Sequence, residues 1–350
     1  MQPKDDILNL LQESVDQLSR QTQRAIILQP GAIGDCILTL PLANFLKQTL
    51  QLGSIDILGH SQCIGILPGR TCIDSVPSID STDLHRLFAA PNDLDLADRD
   101  PLINLFADYA WIVTFLGESN GNFEQNLIFT ANCSHSAEVI TLGLKPPEDF
   151  RQHLVEFYAQ QFINQSGLSL ELTAPQPPTT LIRATNADKC TGRQLLEESN
   201  ADPAKKLIVI HPGSGGRHKC WQLGNFLALA KVLTAEGNQV VFLLGPAELE
   251  RFTHTELEDI SEAGICMTDL SLAEVLAVLS CADAFIGNDS GISHLAAALG
   301  VKTMAIFGPT NPAVYKPLGP AVTIFEDTPT QFTEKLSSNL QQQILTALLD

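Results

Sequence analysis

The segment from Ala284 to Gly308 places polar, turn-forming residues between two apolar runs, in a spacing suited to holding a phosphate. Residues 284–286 are apolar, the turn Asn-Asp-Ser-Gly follows at 288–291, and apolar residues then recur at helical spacing. A second apolar run, 303–307, completes a predicted strand, helix and strand. The ligand of such a βαβ unit lies at the carboxyl ends of the strands, where the helix N-terminus attracts an anion. An isolated turn of this composition is more often only a helix cap, so both interpretations stay open.

Two further glycine-bearing turns follow predicted strands and can bring backbone amides close to a ligand. The first, 30–35, contains Gly34 and Asp35 but lacks the G-x-G-x-x-G spacing of dinucleotide sites. The second, 211–221, has Cys220 where a Walker loop needs Ser or Thr after its Lys. Its backbone amides and its three basic residues, Arg217, His218 and Lys219, are suited to a pyrophosphate. The alternative is an exposed loop with solvated charges.

Three single residues near these turns each have a structural and a functional interpretation. Asp35 opens a predicted helix, where a carboxylate can cap the helix or act as a general base; position alone favours the cap. His294 lies on the helical face of the phosphate-binding end, although a lone histidine is more often part of a core. Glu248 follows a predicted strand end, where it can bind ribose hydroxyls or simply begin a helix.

The elements that position these residues alternate between strand and helix on both sides of a Pro/Thr-rich segment, 172–180. We therefore predict an α/β protein with two Rossmann-like domains, 1–171 and 181–350, joined by that linker and facing a cleft. Residues 5–20 predict an extra amphipathic helix, and the acidic stretch 80–100 predicts a surface excursion. The predicted closing helix, 331–349, can end the second domain or pack back on the first.

Composition and charge argue against several classes of protein, among them nucleic-acid-binding and membrane-spanning proteins. The chain has 350 residues, 44% of them hydrophobic, and a net charge of −19, which argues against nucleic acid and against an anionic membrane surface as partners. The acidic, polar start and the lack of a long apolar run predict neither a signal peptide nor a membrane span, so we expect a cytoplasmic protein with at most peripheral membrane contact. Eight scattered cysteines predict free thiols rather than disulfides or a metal site.

Three motifs, in their order and spacing, resemble the bacterial heptosyltransferases of glycosyltransferase family 9. They are GAIGDCILTLP at 31–41, HPGSGGRHKCW at 211–221, and the segment from Gly287 to Thr310, which is the most specific. The resemblance implies a GT-B fold, a nucleotide-sugar donor on the C-terminal domain, an acceptor on the N-terminal domain, and inversion at the anomeric carbon without a metal or other cofactor. It implies an ADP-linked heptose or a related sugar as donor.

The resemblance also assigns roles to residues of this chain. Asp35 corresponds to the general base and Lys219 to the cation that neutralises the leaving diphosphate. The remaining donor-binding residues implied are Gly34, Ser214, Gly215, Arg217, Glu248, Asp289, Ser290, Gly291 and His294. A carboxylate base and fixed donors around a departing diphosphate are chemically suited to glycosyl transfer.

The acceptor is expected to differ from the anionic lipopolysaccharide core that the resemblance suggests. Residues 1–180 carry 21 acidic and 9 basic residues, and this charge would repel a polyanion. We therefore predict another glycan or a glycoconjugate as acceptor. Two other functions stay open from sequence, a GT-B-like nucleotide-sugar epimerase and an inactive glycan- or nucleotide-binding regulator.

Overall fold

The computed structural model describes residues 23–90, 93–169, 180–327, 332 and 336–349. The predicted N-terminal helix and nearly all of the predicted linker lie outside these residues. The described chain divides into two compact units. The first unit contains described residues up to 31, then 39–148 and 155–169, and the second contains 32–38, 149–154 and the described residues from 180 onward.

The first unit is built on a four-stranded parallel sheet with strand order β2-β1-β3-β4. Its strands are mostly buried runs of β-branched and other apolar residues, which are typical of parallel sheets covered on both faces. The strands are β1 (Arg24–Leu28), β2 (Ser54–Leu58), β3 (Trp111–Thr114) and β4 (Glu138–Thr141). The helices are α1 (Ile33–Thr49), whose first turn belongs to the second unit, α2 (Ser61–Ile64), α3 (Pro101–Phe106), α4 (Asn122–Asn132) and α5 (Leu154–Ser166).

The acidic stretch 80–100 is only partly the surface excursion predicted from its composition. Two short 3-10 helices, Ile79–Ser81 and Leu84–Phe88, occur in it, and Leu84 and Leu87 are buried in the core of the first unit. Arg86 binds both carboxylate oxygens of the buried Asp100, at 2.9 and 2.8 Å. The leucines, three residues apart, lie on one helical face, and composition alone hides that pattern.

The second unit is built on a six-stranded parallel sheet with strand order β10-β9-β8-β5-β6-β7. The strands are β5 (Leu207–His211), β6 (Gln239–Leu243), β7 (Ile265–Met267), β8 (Ala284–Asn288), β9 (Lys302–Phe307) and β10 (Val322–Glu326). The helices are α6 (Asn186–Glu198), α7 (Leu223–Ala235), α8 (Pro246–Arg251), α9 (His254–Ala263), α10 (Leu272–Leu279), α11 (Gly291–Ala298), α12 (Pro312–Tyr315) and α13 (Ser338–Leu349). The side chains of α13 enter the core of this unit through Leu340 and Ile344.

The helix boundaries in and near this unit are set by local contacts, and the predicted start of the closing helix is wrong. Helix α8 ends at Arg251 and α9 begins at His254, because Thr253 forms a capping box with Glu256. Helix α5 begins at Leu154, after His153, whose Nε2 lies 2.9 Å from the Lys316 carbonyl oxygen. The closing helix begins at Ser338 rather than 331, in a region where residues 328–331 and 333–335 are outside the described part. Helix α6 and strand β7 were not predicted.

Candidate active site

The candidate site is at the carboxyl ends of β5 and β8, which are neighbours in the sheet of the second unit. Asn288, the last residue of β8, is fully buried and joins the two ends of the loop that follows β5. Its Nδ2 donates to the carbonyl oxygens of Pro212 and Gly213, at 2.8 and 3.2 Å, and its Oδ1 accepts from the Trp221 backbone N–H at 2.9 Å. One amide side chain therefore fixes where the 212–221 loop begins and ends.

The predicted residues Ser214, Lys219 and Asp289 meet within this loop. Lys219 Nζ donates to Asp289 Oδ2 at 2.8 Å, and the carboxylate is buried while the lysine is one-third exposed. Ser214 Oγ donates to the Asp289 carbonyl oxygen at 2.6 Å. A cation is thus held at the end of the sheet with part of its surface accessible to a ligand. Gly215 and Arg217 are exposed in the same loop, Arg217 beginning the 3-10 turn Arg217–Lys219.

Ser290 caps helix α11, as the structural interpretation of the turn predicted: its Oγ accepts from the Ser293 backbone N–H at 3.3 Å. Gly291 lets the first turn of α1 approach this cap, because a Cβ on Gly291 would lie 2.9 Å from Cβ of Ile33. Gly34 packs on the other side, where a Cβ would lie 3.2 Å from Cδ2 of His294. The N-terminal turns of α1 and α11 are therefore in contact, and both belong to the second unit. Helix N-termini carry unsatisfied N–H groups and partial positive charge, which favour an anion.

His294 is buried beside these helix starts, and burial lowers its pKa to about 4. The ring is therefore neutral at neutral pH, although Nε2 lies 4.0 Å from Asp289 Oδ1. Its Nδ1 has no hydrogen-bond partner among the described atoms. Buried polar atoms are rarely left without a partner, so this nitrogen suggests a ligand or water contact. The core interpretation of His294 is therefore confirmed by its burial, and its role in donor binding stays a prediction.

Asp35 lies in the first turn of α1 and is half-buried. Its Oδ2 accepts from the Ala32 backbone N–H at 3.0 Å, so it caps this turn as position alone suggested.

Tyr315, at the end of α12, lies close to three charged side chains of the candidate site. Burial chiefly raises the Tyr315 pKa, the negative charges of Asp35 and Asp289 raise it further, and the positive charge of Lys219 lowers it. Asp35, Lys219 and Asp289 are thus close enough to Tyr315 for their charges to act on its phenol, which the sequence did not indicate.

Helix α8 supports the loop from its outer side through Glu248 and Arg251. Glu248 is buried against Gly213, and its Oε2 accepts from the Gly245 backbone N–H at 2.9 Å. Arg251 donates from Nη1 to the Ser214 carbonyl oxygen at 2.6 Å and from Nη2 to the Gly215 carbonyl oxygen at 3.2 Å. Glu248, which the resemblance predicts as a ribose contact, therefore caps its own helix. Arg251 was missed, because no local motif signals an arginine whose partners are backbone carbonyls.

Replacing Arg251 by Ala is expected to raise the KM for the nucleotide-sugar donor that the sequence resemblance implies about tenfold, because hydrogen bonds from a charged donor to the loop contribute about 1.5–3 kcal/mol. The effect should come from a less ordered loop, so kcat should change less than KM. Glu250→Ala, an exposed substitution on the same helix, is the control. Steady-state kinetics with varied donor check this, and an unchanged donor KM in Arg251→Ala would contradict it.

Two kinds of feature are absent from the residues that the structure describes. No helix there is long and apolar enough to cross a membrane. No three His, Cys, Asp or Glu side chains there are grouped as a metal site would require.

Comparison with known proteins places the fold and the family. The model of glycosyltransferase family 9 (heptosyltransferase) matches residues 136–343. Lipopolysaccharide heptosyltransferase 1 of Campylobacter coli is 34% identical over 300 residues, covering 81% of this chain and 83% of that protein. A family 9 glycosyltransferase from Veillonella parvula has a TM-score of 0.69 at 17% identity, covering 93% of this chain and 97% of its own. The E. coli heptosyltransferase WaaC with ADP has a TM-score of 0.65 at 19% identity, covering 93% and 100%.

The predicted fold class is confirmed: the two parallel sheets are the Rossmann-like domains of a GT-B fold. The family match extends over more than half of the chain and includes the β5 loop, α8 and the turn before α11. The chain is a glycosyltransferase and belongs to glycosyltransferase family 9 (heptosyltransferase).

Proposed function

We propose that this enzyme transfers a heptosyl group from ADP-heptose to a hydroxyl of a glycan or glycoconjugate, with inversion at the anomeric carbon. The observation that carries the proposal is the meeting of two helix N-termini beside the Lys219–Asp289 pair. Such a place favours a diphosphate, whose charge increases as the sugar leaves. The choice of ADP and heptose rests on the relatives, one of which is a lipopolysaccharide heptosyltransferase and another a heptosyltransferase with ADP.

In the proposed reaction Asp35 accepts the proton of the acceptor hydroxyl while its oxygen attacks the anomeric carbon. The bond between that carbon and the diphosphate oxygen breaks, and ADP leaves with the bonding electrons. Lys219 and the N–H groups at the start of α11 stabilise the charge on the departing diphosphate. Because the attack and the departure occur on opposite faces of one carbon, the configuration inverts. The expected absence of a metal requirement stays a prediction, which transfer in the presence of EDTA tests.

Donor binding tests the proposal most directly. ADP at 100 times its Kd is expected to stabilise the native protein by about 2.7 kcal/mol, because only the folded state binds it. Thermal unfolding with ADP, GDP, UDP and CMP measures this, and the melting temperature should rise most with ADP. A stronger response to another nucleotide would overturn the ADP assignment, and no response to any of the four would overturn nucleotide binding at this site.

Transfer itself is measured with ADP-heptose and a panel of oligosaccharide acceptors. The expected result is release of ADP that depends on the acceptor, with one new glycosidic bond for each ADP released. Isomerisation of the donor without any acceptor would instead indicate an epimerase. The proposal places this reaction in the cytoplasm, with at most peripheral contact with a membrane.

A further inference from the structure

The first unit holds a histidine–aspartate pair at the carboxyl end of its sheet, outside the site described above. β2 ends at Leu58, and His60 follows two residues later. His60 Nδ1 lies 2.8 Å from Asp80 Oδ1, and each side chain is about half exposed. No motif of the sequence contains either residue, and the proposed reaction gives neither of them a role.

The backbone fixes the pair from both sides. The Gly59 N–H donates to the Pro77 carbonyl oxygen at 3.3 Å, and the Ile79 N–H donates to the Gly59 carbonyl oxygen at 2.9 Å. These bonds form a parallel bridge between Gly59 and Ser78. His60 and Asp80 each lie within two residues of this bridge, so the separation of the two side chains is set by main-chain contacts.

Asp80 is held by several donors at once. The hydrogen bond from His60 chiefly lowers the pKa of the Asp80 carboxyl, and hydrogen bonds from the Ser61 backbone and the Ser78 hydroxyl lower it further. Ser78 Oγ lies 3.3 Å from Asp80 Oδ2. The carboxylate is therefore anionic and oriented at neutral pH, and it accepts from His60 rather than donating to it.

This arrangement determines which nitrogen of His60 can meet a ligand. A carboxylate only accepts, so Nδ1 bears the proton, and in the neutral ring Nε2 is left as an acceptor. An oriented imidazole nitrogen on an exposed edge is suited to a hydroxyl donor. Half-exposed pairs of this kind contribute little to stability, so stability alone does not explain why Asp80 makes so many contacts.

The location is the ligand-binding edge of a parallel sheet. Leu58 is in register with Leu28 of β1, and Gly59 packs on the Gln29 carbonyl oxygen, where a Cβ would lie 2.5 Å away. His60 therefore lies beside the turn that follows β1, and ligands of open parallel sheets bind at this edge. Asp80 and Asp83 make this part of the edge acidic, which favours a neutral hydroxyl over a phosphate or carboxylate.

We propose that His60 binds a hydroxyl of the acceptor sugar through Nε2, that Asp80 is its positioning residue, and that the acceptor is uncharged where it meets this pair. The inference rests on the proposed function, because it requires an acceptor sugar on the first unit. The donor site of the second unit concerns the nucleotide-sugar, whereas His60 would determine specificity for the acceptor.

His60→Asn separates the two roles of the ring. The asparagine amide can replace Nδ1–H as donor to Asp80, but nothing replaces Nε2. With ADP-heptose as donor and, as acceptors, the oligosaccharides of the transfer panel with and without their phosphate groups, His60→Asn is expected to raise the acceptor KM at least tenfold. The donor KM and the melting temperature should stay at their wild-type values. Asp80→Asn, which keeps an acceptor for Nδ1–H, should raise the acceptor KM less.

His254→Asn is the matched control, because His254 forms another exposed pair, with Glu258 at 3.2 Å on α9. It should leave the acceptor KM unchanged. Wild-type transfer with an unchanged acceptor KM in His60→Asn would overturn the acceptor role and leave the proposed function intact. No ADP-heptose-dependent transfer by the wild type would overturn both. Removing phosphate from the acceptors should not raise their KM, and a tenfold rise on dephosphorylation would overturn the uncharged subsite.

Discussion

Replacing Asp35 by Asn is expected to lower kcat by about 10²–10⁴ while donor binding stays at the wild-type level, because general-base catalysis contributes about this much. The asparagine oxygen can still accept from the Ala32 N–H, which Asp35 does at 3.0 Å. The cap of α1 should therefore survive, and only the basic carboxylate is lost. The measurements are transfer kinetics, the Kd for ADP, and the melting temperature of the variant.

Asp35→Ala provides the second comparison, because it removes the cap as well as the base. Its melting temperature should fall below that of Asp35→Asn, since losing a capping side chain costs about 0.5–2 kcal/mol, whereas the two variants should be equally inactive. Glu274→Gln is the matched control, as it changes a carboxylate to an amide in the capping box of α10. Full transfer activity in Asp35→Asn would show that Asp35 is only a helix cap.

The turn before α11 was predictable because its chemistry is local. Ser290 caps a helix that begins at the next residue, and its bond partner is three residues away. The strands were predictable for a related reason, since buried parallel strands have apolar runs of characteristic length. For the same reason the α/β class and the two-domain organisation followed from alternation along the chain.

Residues whose partners are distant in sequence were not predictable. Asn288 binds carbonyl groups 76 and 75 residues away, and Arg251 binds carbonyl groups 37 and 36 residues away. Asparagine in a turn and arginine on a helix are common, so neither residue type indicates such contacts. The buried leucines of the 84–88 turn were obscured by acidic neighbours, because charge counts do not show which side of a turn faces the core.

From the sequence, the turn at 288–291 could be a helix cap or part of a phosphate site. Ser290 and Asp289 each fit one of these two interpretations. Ser290 is the cap, whereas Asp289 binds Lys219. A buried carboxylate beside a diphosphate would repel it unless a cation compensates, so the lysine and the aspartate should be understood as one unit. Because Lys219 and Asp289 act together, the effect of replacing Lys219 depends on whether the Asp289 charge is still present.

Replacing Lys219 by Ala is expected to lower kcat by about 10²–10³, the loss typical of removing one group that stabilises a developing negative charge. ADP affinity should fall as well, for two reasons. The cation is gone, and the Asp289 carboxylate, 8% exposed, has lost the partner that lies 2.8 Å away in the wild type and compensates its charge. Transfer kinetics and the Kd for ADP measure the two effects separately, and Lys231→Ala, an exposed lysine on α7, is the control.

The double variant Lys219→Ala/Asp289→Asn separates those two reasons. Removing the carboxylate charge from the Lys219→Ala enzyme should restore part of the ADP affinity, because the repulsion disappears, but it should not restore kcat, because no cation meets the leaving group. The two substitutions are therefore expected to be non-additive for binding, as contacting charged residues usually are. If the double variant instead binds ADP more weakly than Lys219→Ala, Asp289 contributes to donor binding directly, and its role as the partner of Lys219 is secondary.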